Sequence, residues 1–222
     1  MSFFDAVFFD MDGLMVDSEP EWLQSEIDVT APFGYTWLEE DQIACLGGPL
    51  SRVGQYMYDK CAQQQSPEFF TQSLIDTQAA KMRGNTPTMP GAVELVRELQ
   101  SHGIKTALVS ASPRNIVDAV LDNLGHDLFP FSISSEDVVN TKPHPDAYLK
   151  AANISQSDIA NCLVFEDSIT GMKAATSSGA YLIAVPHLVT IEESARVRVT
   201  KSLAQLSHTK LQQLHQDFSV KI

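Results

Sequence analysis

The sequence has few basic residues, few cysteines and no long apolar run. Lys and Arg number 15 against 28 Asp and Glu, which gives a formal net charge of -13. A charge of this sign repels phosphate backbones and anionic membrane surfaces at long range, so neither nucleic acid nor a membrane surface is expected as a partner. No apolar stretch reaches the roughly 20 residues that span a bilayer, so a membrane-spanning helix is not expected either.

The cysteines Cys45, Cys61 and Cys162 are odd in number, far apart and without any C-x-x-C pair. This pattern predicts free thiols in a reducing compartment, and therefore a cytoplasmic protein. Asp5 and Asp10 interrupt the apolar N-terminal stretch, and no basic residue precedes it. We therefore do not expect a signal peptide.

The chain has 222 residues and 44% hydrophobic content, enough for one full core and a smaller lobe. Residues 17–85 have helical patterns broken at Pro and Gly, and a helix is predicted after Ser18 because Ser18-Glu19-Pro20-Glu21 has the form of a capping box. From residue 86 onward, amphipathic helices alternate with short apolar strands. This alternation predicts an α/β fold with a parallel sheet. Strands are predicted at 104–109, 131–134, 162–165 and 181–185, and helices at 92–101, from 113 and at 170–178.

A short apolar stretch at residues 6–9 ends in Asp10-Met11-Asp12-Gly13. Side chains two apart leave a strand on the same side, so the pattern delivers two carboxylates to the edge of a sheet, where Gly13 lets the chain turn sharply. Ligands of open α/β sheets bind at that edge. Asp and Gly are also ordinary turn residues, so the motif alone is compatible with a plain turn.

Ser110 follows the apolar residues 107–109, and Ser112-Pro113 has the form of a helix cap followed by the first helical residue. Free N–H groups at a helix start suit an anion. A strand-to-helix turn with a capping serine is the simpler alternative for this segment.

Lys142 lies in Lys142-Pro143-His144-Pro145-Asp146, where the prolines stiffen the backbone around one long cation. A surface lysine in a turn is the alternative, and His144 is interpreted as a turn residue. Further on, the apolar residues 163–165 end in Glu166 and Asp167. Two acids at the end of a buried strand are unfavourable unless a positive charge meets them, although a solvated helix start would also accommodate them.

In this order, the four segments resemble the motifs of the haloacid dehalogenase-like superfamily, and within it the β-phosphoglucomutase-like group. The stretches 10–22, 110–113 and 142–148 are similar to the sugar-phosphate phosphatases of that group. The resemblance implies a Rossmann-like parallel sheet core with an inserted all-helical cap. The core would comprise residues 1–16 and 86–222, and the cap residues 17–85.

The resemblance also implies the chemistry, which is Mg2+-dependent transfer of a phosphoryl group through an aspartyl-phosphate. Asp10 would be the nucleophile and Asp12 the general acid and base, while Ser110 and Lys142 would bind the transferring phosphoryl group. Met11 and the Ala111 backbone would add to the substrate-binding set. A small-molecule phosphate ester would be the only partner, and we expect a monomer.

The implied metal ligands are Asp10, Asp12 through its backbone carbonyl, Asp167 and Glu166, a set of hard oxygens of the kind that Mg2+ prefers. Substrate choice is expected to lie in the cap, where the loop at 47–52 resembles the one such enzymes lower onto a sugar. Its candidates are Gly48 and Arg52, with Glu19, Trp22 and Asn115 as further wall residues.

Two other functions stay open at this point. A phosphomutase of this group has a histidine where this chain has Trp22, which favours water as the phosphoryl acceptor and small sugar or sugar-alcohol phosphates as substrates. A non-catalytic sugar-phosphate-binding protein on the same fold is the second alternative. All the motif acids and the lysine are present, which favours an enzyme.

Overall fold

Six parallel strands form one sheet in the computed structural model, which describes residues 3–45, 48–186 and 191–219. The spatial order is β3-β2-β1-β4-β5-β6. The strands are β1 Ala6–Phe9, β2 Lys105–Val109, β3 Ser132–Ile133, β4 Leu163–Glu166, β5 Tyr181–Ala184 and β6 Val197–Val199. β1 pairs with β2 on one side and with β4 on the other, so the strand order reverses beside β1. Such a reversal opens a crevice at the carboxyl ends of the strands, where ligands of α/β sheets bind.

Apolar side chains on both faces hold the sheet in place. All four residues of β1 are buried, and consecutive phenylalanines point to opposite faces: Phe8 joins one buried cluster and Phe9 the other. Strands buried on both sides are typical of parallel sheets that helices cover from above and below. The covering helices are α5 Ala92–Ser101, α6 Arg114–Leu124, α7 Asp146–Ile154, α8 Ile169–Ser178 and α9 His208–Ser219.

The segment between β1 and α5 is helical and has a buried cluster of its own. Its helices are α1 Glu19–Thr30, α2 Glu39–Cys45, α3 Leu50–Lys60 and α4 Pro67–Gly84. Trp37, Met57, Phe70 and Leu74 lie in its cluster, apart from the two clusters of the sheet. None of the helices in the described part of the chain is long and apolar enough to cross a bilayer.

The chain enters and leaves this segment side by side. The Asp17 N–H donates to the Pro87 carbonyl at 2.8 Å, and the Met89 N–H donates to the Met15 carbonyl at 2.9 Å. The end of α4 is also tied to the core, because Met82 packs in a sheet cluster and its carbonyl accepts from Asn123 at 2.7 Å. These contacts support our proposed division into a cap at 17–85 and a core formed by 1–16 and 86–222.

The predicted α/β class, the parallel sheet and the helical insert are confirmed, and the ends of the strands and helices predicted at 92–185 differ from those observed by at most one residue. The three-residue strand β6 was not predicted, because Val197–Val199 is too short and has Arg198 at its centre. The capping box predicted at Ser18 is wrong. The helix does begin at Glu19, but the Ser18 side chain makes no capping hydrogen bond.

Candidate active site

Three neighbouring strands bring their carboxyl ends to one edge of the sheet. Asp10 follows β1, Ser110 follows β2 and Glu166 ends β4, and each is buried with 6% exposure or less. The backbone keeps them in register with the next strand: the Asp10 N–H donates to Phe165 O at 3.1 Å, and the Ser110 N–H to Ile133 O at 2.9 Å. Residues separated by more than a hundred positions therefore meet at the crevice.

Lys142 reaches into this edge from the loop before α7. Its side chain is only 3% exposed, and its ammonium donates to Asp10 Oδ1 at 2.5 Å, to Glu166 Oε1 at 2.6 Å and to the Val109 carbonyl at 2.8 Å. An ammonium has three donors, and all three are used here. The alternative of a surface lysine in a turn is excluded by this placement.

Glu166 connects the lysine to the start of α8. Its Oε1 also accepts from the Tyr148 hydroxyl at 2.6 Å, and its Oε2 accepts from the Asp167 and Ser168 N–H groups and the Ser168 hydroxyl at 3.1–3.3 Å. A Cβ at Gly171 would lie 1.8 Å from Glu166 Oε1, so only glycine fits there. Both carboxylate oxygens are engaged, and Glu166 would have to exchange a donor, or act through water, to bind a metal.

Two acids at this edge, Asp10 and Asp167, have raised pKa values. Burial raises the pKa of Asp10 well above its usual range, and the charge of Glu166 raises it further, while Lys142 acts in the opposite direction. Burial and Glu166 likewise raise the pKa of Asp167 to about 7. Burial lowers the pKa of Lys142, but the charges of Asp10 and Glu166 outweigh burial, so its pKa is raised. One lysine is thus too little positive charge for the acids around it.

This arrangement fits a divalent cation. One oxygen each from Asp10, Glu166 and Asp167 lies within 4.8 Å of the others. The donors are hard carboxylate oxygens, and a cation would relieve the repulsion that raises the pKa values of Asp10 and Asp167. Gly13 lets Asp167 approach, because its φ is +74° and a Cβ there would lie 2.2 Å from Asp167 Oδ2.

Asp12 lies beside this cluster and is held by a different set of donors. The Ser18 hydroxyl donates to its Oδ1 at 2.7 Å, the Ser112 hydroxyl to its Oδ2 at 2.8 Å and the Trp22 indole N–H to Oδ1 at 3.4 Å. Ser112 was predicted to cap α6, but that helix begins at Arg114 without a side-chain cap. Two serines that resemble helix caps therefore serve to hold Asp12.

A cavity of about 750 Å³ lies between the cap and the edge of the sheet. Among the predicted site residues, Asp12, Ala111, Lys142, Glu19, Gly48 and Trp22 line it. Asp10, Ser110, Glu166 and Asp167 are not among the lining residues, but Lys142, which lines the cavity, donates to Asp10 and Glu166. His144, interpreted from sequence as a turn residue, also lines the cavity.

Arg52, Asn115 and Met11, which were predicted to belong to the site, are not among the residues that line the cavity. The Arg52 guanidinium donates to the carbonyls of Ala44 and Cys45 at 2.8 and 2.9 Å, so it holds the end of α2. Asn115 is not among the residues that line the cavity, and Met11 is fully buried in a core cluster, so only its backbone could serve a ligand. Gly47 in the cap loop lies outside the described residues.

Sequence reasoning missed Tyr148 and Glu26. Tyr148 lies within the segment that resembles the lysine motif, but nothing in its pattern tells that its hydroxyl reaches Glu166. Glu26 lines the cavity and is only 6% exposed. Glu26 follows Trp22 by four residues, which places both on one face of a helix, and this spacing could have identified it from the sequence.

Comparison with known proteins agrees with this geometry. A family model described as a haloacid dehalogenase-like hydrolase matches residues 4–179. Hexitol phosphatase B of Escherichia coli (strain K12) is 32% identical over 184 residues, covering 82% of this chain and 83% of that protein. A protein of Drosophila melanogaster described as a probable pseudouridine-5'-phosphatase is 30% identical over 214 residues, covering 92% of this chain and 91% of its own length.

Solved structures share the architecture. The crystal structure of β-phosphoglucomutase from Clostridium difficile superposes with a TM-score of 0.82 at 22% identity, covering 98% of this chain and 100% of that one. At this level of identity the likeness shows the fold alone.

Proposed function

The chain belongs to the haloacid dehalogenase-like hydrolase family, and we propose that it is a Mg2+-dependent phosphatase that hydrolyses small sugar or sugar-alcohol phosphate monoesters. The family and its named phosphatase relatives support a phosphoric monoester hydrolase. The observation that carries the proposal is the placement of Asp10. This buried carboxylate lies 2.5 Å from the Lys142 ammonium and two residues before Asp12, and Lys142 and Asp12 both line a cavity that could hold a small ester.

In the first step, we propose that an Asp10 oxygen attacks phosphorus and the bond from phosphorus to the ester oxygen breaks. Protonated Asp12 gives its proton to that oxygen, so the alcohol leaves neutral and an aspartyl-phosphate remains. In this proposal the Lys142 ammonium and the Ser110 hydroxyl donate hydrogen bonds to the phosphoryl oxygens as charge shifts onto them.

In the second step, ionised Asp12 takes a proton from water as the water oxygen attacks phosphorus. The bond from phosphorus to Asp10 breaks, phosphate leaves, and both aspartates regain their starting states. Ser18, Ser112 and Trp22 orient Asp12 for both transfers, because their hydrogen bonds fix the plane of its carboxylate.

Asp10, Asp167, the Asp12 backbone carbonyl and, directly or through water, Glu166 would hold Mg2+. When bound, the ion supplies positive charge to the phosphate dianion in a protein whose own net charge is -13. Burial and the charge of Glu166 raise the pKa values of Asp10 and Asp167, and a bound cation would favour the ionised carboxylates that the proposed chemistry needs.

A phosphomutase is the weaker alternative. Enzymes of the mutase type in this group have a histidine at the position of Trp22, and an indole N–H can donate a hydrogen bond but cannot exchange a proton. Trp22 can therefore orient Asp12 but cannot help a second sugar hydroxyl compete with water. A purely binding role would not require the paired acids and buried lysine found here.

The test is a screen of phosphate release from sugar, sugar-alcohol and nucleotide monophosphates with Mg2+ present. We expect hexose and hexitol 6-phosphates to exceed p-nitrophenyl phosphate in kcat/KM. In a parallel reaction, β-glucose-1-phosphate with a bisphosphate primer should release phosphate faster than it forms glucose-6-phosphate. The reverse order would make the protein a mutase, and no release from any ester would overturn the proposal.

A further inference from the structure

The inner face of α1 forms one wall of the cavity. Glu19, Trp22 and Glu26 all line it. They are three and four residues apart, so they share one helix face. Trp22 contacts Asp12 at the cavity floor, and Glu26 lies about one helix turn, or about 5.4 Å, farther along the wall. A hexose or hexitol whose phosphate sits on Asp10 would extend its far end toward Glu26.

Glu26 is buried without an ion-pair partner among the described residues. Neither oxygen of its carboxylate accepts a hydrogen bond from the described residues at normal distance. Its Oε2 is shielded from solvent, and the buried indole N–H of Trp37 is a donor that lowers the pKa of Glu26 in part. Buried polar groups in folded proteins are nearly always hydrogen-bonded. A carboxylate that is over nine-tenths buried, unsatisfied and on a cavity wall is therefore a candidate for contact with a ligand.

The charges around the cavity restrict that ligand. Among the described residues that line it, Lys142 is the only Lys or Arg, and its three donors face Asp10, Glu166 and a carbonyl. The lining acids are Asp12, Glu19 and Glu26. A second phosphate or a carboxylate at the far end of a substrate would therefore meet negative charge and, among the described lining residues, no cation other than the engaged Lys142.

Building on the proposed function, we propose that Glu26 determines substrate specificity: its carboxylate accepts a hydrogen bond from a hydroxyl at the end of the sugar chain remote from the phosphate. The same carboxylate rejects substrates that carry an anionic group at that end. A neutral polyol tail would satisfy an acceptor that the protein leaves unsatisfied, and an anionic tail would be repelled. The site thus selects monophosphates with uncharged, hydroxylated tails.

Two substrates isolate this contact. Glucitol 6-phosphate and 6-phosphogluconate have chains of equal length, and at the end remote from the phosphate one has a hydroxymethyl group where the other has a carboxylate. The experiment measures kcat/KM for both at about pH 8.5, where Glu26 is ionised because this lies above its pKa of about 7, with the wild type, Glu26→Gln and Glu26→Met. p-Nitrophenyl phosphate serves as a short substrate whose ring carries no hydroxyl chain. Glu21→Gln is the control, because Glu21 lies on the same helix but does not line the cavity.

We expect the wild type to prefer glucitol 6-phosphate. Glu26→Gln should lower the ratio of kcat/KM for glucitol 6-phosphate to that for 6-phosphogluconate by about tenfold to a hundredfold, because the neutral amide accepts more weakly from the hydroxyl and no longer repels the carboxylate. Glu26→Met, which removes the acceptor as well, should lower it at least as much. Turnover of p-nitrophenyl phosphate should stay near the wild-type rate, which also shows that the variants fold. Glu21→Gln should leave the ratio unchanged.

The inference is overturned if both Glu26 variants turn over p-nitrophenyl phosphate but keep the wild-type ratio within about twofold, a difference well below one hydrogen bond. It is also overturned if the wild type prefers 6-phosphogluconate. If the wild type hydrolyses none of the three esters, the proposed function fails first, and the role of Glu26 in substrate selection fails with it.

Discussion

Asp41 in the cap and Asp10 at the sheet edge are both buried acids, but their surroundings differ. Asp41 accepts hydrogen bonds from the hydroxyls of Tyr35 and Tyr56 and from the Leu38 N–H, and Lys60 lies 3.0 Å away. Burial raises its pKa, but these donors outweigh burial, and the pKa is lowered to about 2. Asp10 shares a single lysine with Glu166, and its pKa is raised.

The difference separates an acid that stabilises the fold from acids arranged for chemistry. Asp41 has a full set of donors within its own domain and needs nothing from outside. Asp10 and Asp167 lack sufficient positive charge, and Glu26 lacks a hydrogen-bond donor for one oxygen. A buried acid that lacks a cation or a hydrogen-bond donor within the protein is expected where a metal ion or a substrate supplies that partner.

Metal removal should have the largest effect. Treatment with EDTA, followed by gel filtration, should abolish phosphate release, because the acids at the sheet edge would then repel the phosphate dianion. Mg2+ should restore the activity fully. An enzyme that keeps its rate after thorough chelation, with metal content checked by elemental analysis, would contradict the metal site.

A pair of isosteric substitutions should then separate the two buried aspartates. Asp10→Asn should reduce kcat by about 10⁴-fold or more, because an amide cannot attack phosphorus, yet it should leave Tm near neutral pH unchanged or higher. Asp41→Asn should keep kcat near the wild-type level but lose about 2 kcal/mol of stability. Activity assays and thermal melts of both variants measure these effects. If both variants lost activity, or both lost stability, to the same extent, the two aspartates would not have the separate roles described here.

Glu26 should give stability its own pH dependence. Burial, opposed in part by Trp37 and increased by the charges of Glu19 and Asp41, raises its pKa to about 7. Unfolded Glu releases its proton near pH 4.3. The folded state therefore holds the extra proton between these values, and the contribution of Glu26 to stability falls as pH rises through this window and is constant above it.

Glu26→Gln should remove that loss. The free energy of unfolding of the variant, relative to that of the wild type, should rise by on the order of 2 kcal/mol between about pH 5 and pH 8. Urea unfolding at both pH values measures it. Glu21→Gln is the matched control and should show no such change. If the free energies of unfolding of the wild type and of Glu26→Gln changed in parallel with pH, the pKa of Glu26 would not be raised in the folded state.

A matched pair of tyrosines gives the smallest expected effect. Tyr148→Phe removes the hydroxyl that donates to Glu166, while Tyr56→Phe removes one that donates to Asp41. Each should cost about 1.5 kcal/mol of stability. Only Tyr148→Phe should also lower kcat, by about tenfold, because Glu166 then holds Lys142 less well. Equal kcat values in the two variants would show that Tyr148 has a structural role alone.

Much of the core could be predicted from sequence because its signals are local. The strands β1, β2 and β4 contain short apolar runs that end in a polar residue, which is Asp10, Ser110 and Glu166 respectively. Parallel strands that share an edge then bring such residues together without further information. The strand β6 lacked this signal, since its central Arg198 interrupts a run of only three residues.

Contacts across long sequence separations could not be predicted. Ser112 and Asp12 are 100 positions apart, and a serine before a helix has the same local pattern whether its hydroxyl caps the helix or reaches another segment. The role of Arg52 could not be predicted either, because the sequence does not tell whether the guanidinium binds a substrate or, as in the structure, the carbonyls at the end of α2. Glu26 could not be predicted as a substrate-binding residue, because the cavity that it lines is formed by segments of the cap and the core that are far apart in sequence.

The central claim is that Asp10 carries the phosphoryl group between the two steps. It can be tested most directly by mixing Asp12→Asn with p-nitrophenyl phosphate, whose leaving group needs no proton. The variant should release one equivalent of p-nitrophenol per enzyme and then stall, because no base activates water for the second step. Mass spectrometry of the acid-quenched protein should find phosphate on Asp10. Steady turnover without a burst, or phosphate on another residue, would contradict the account.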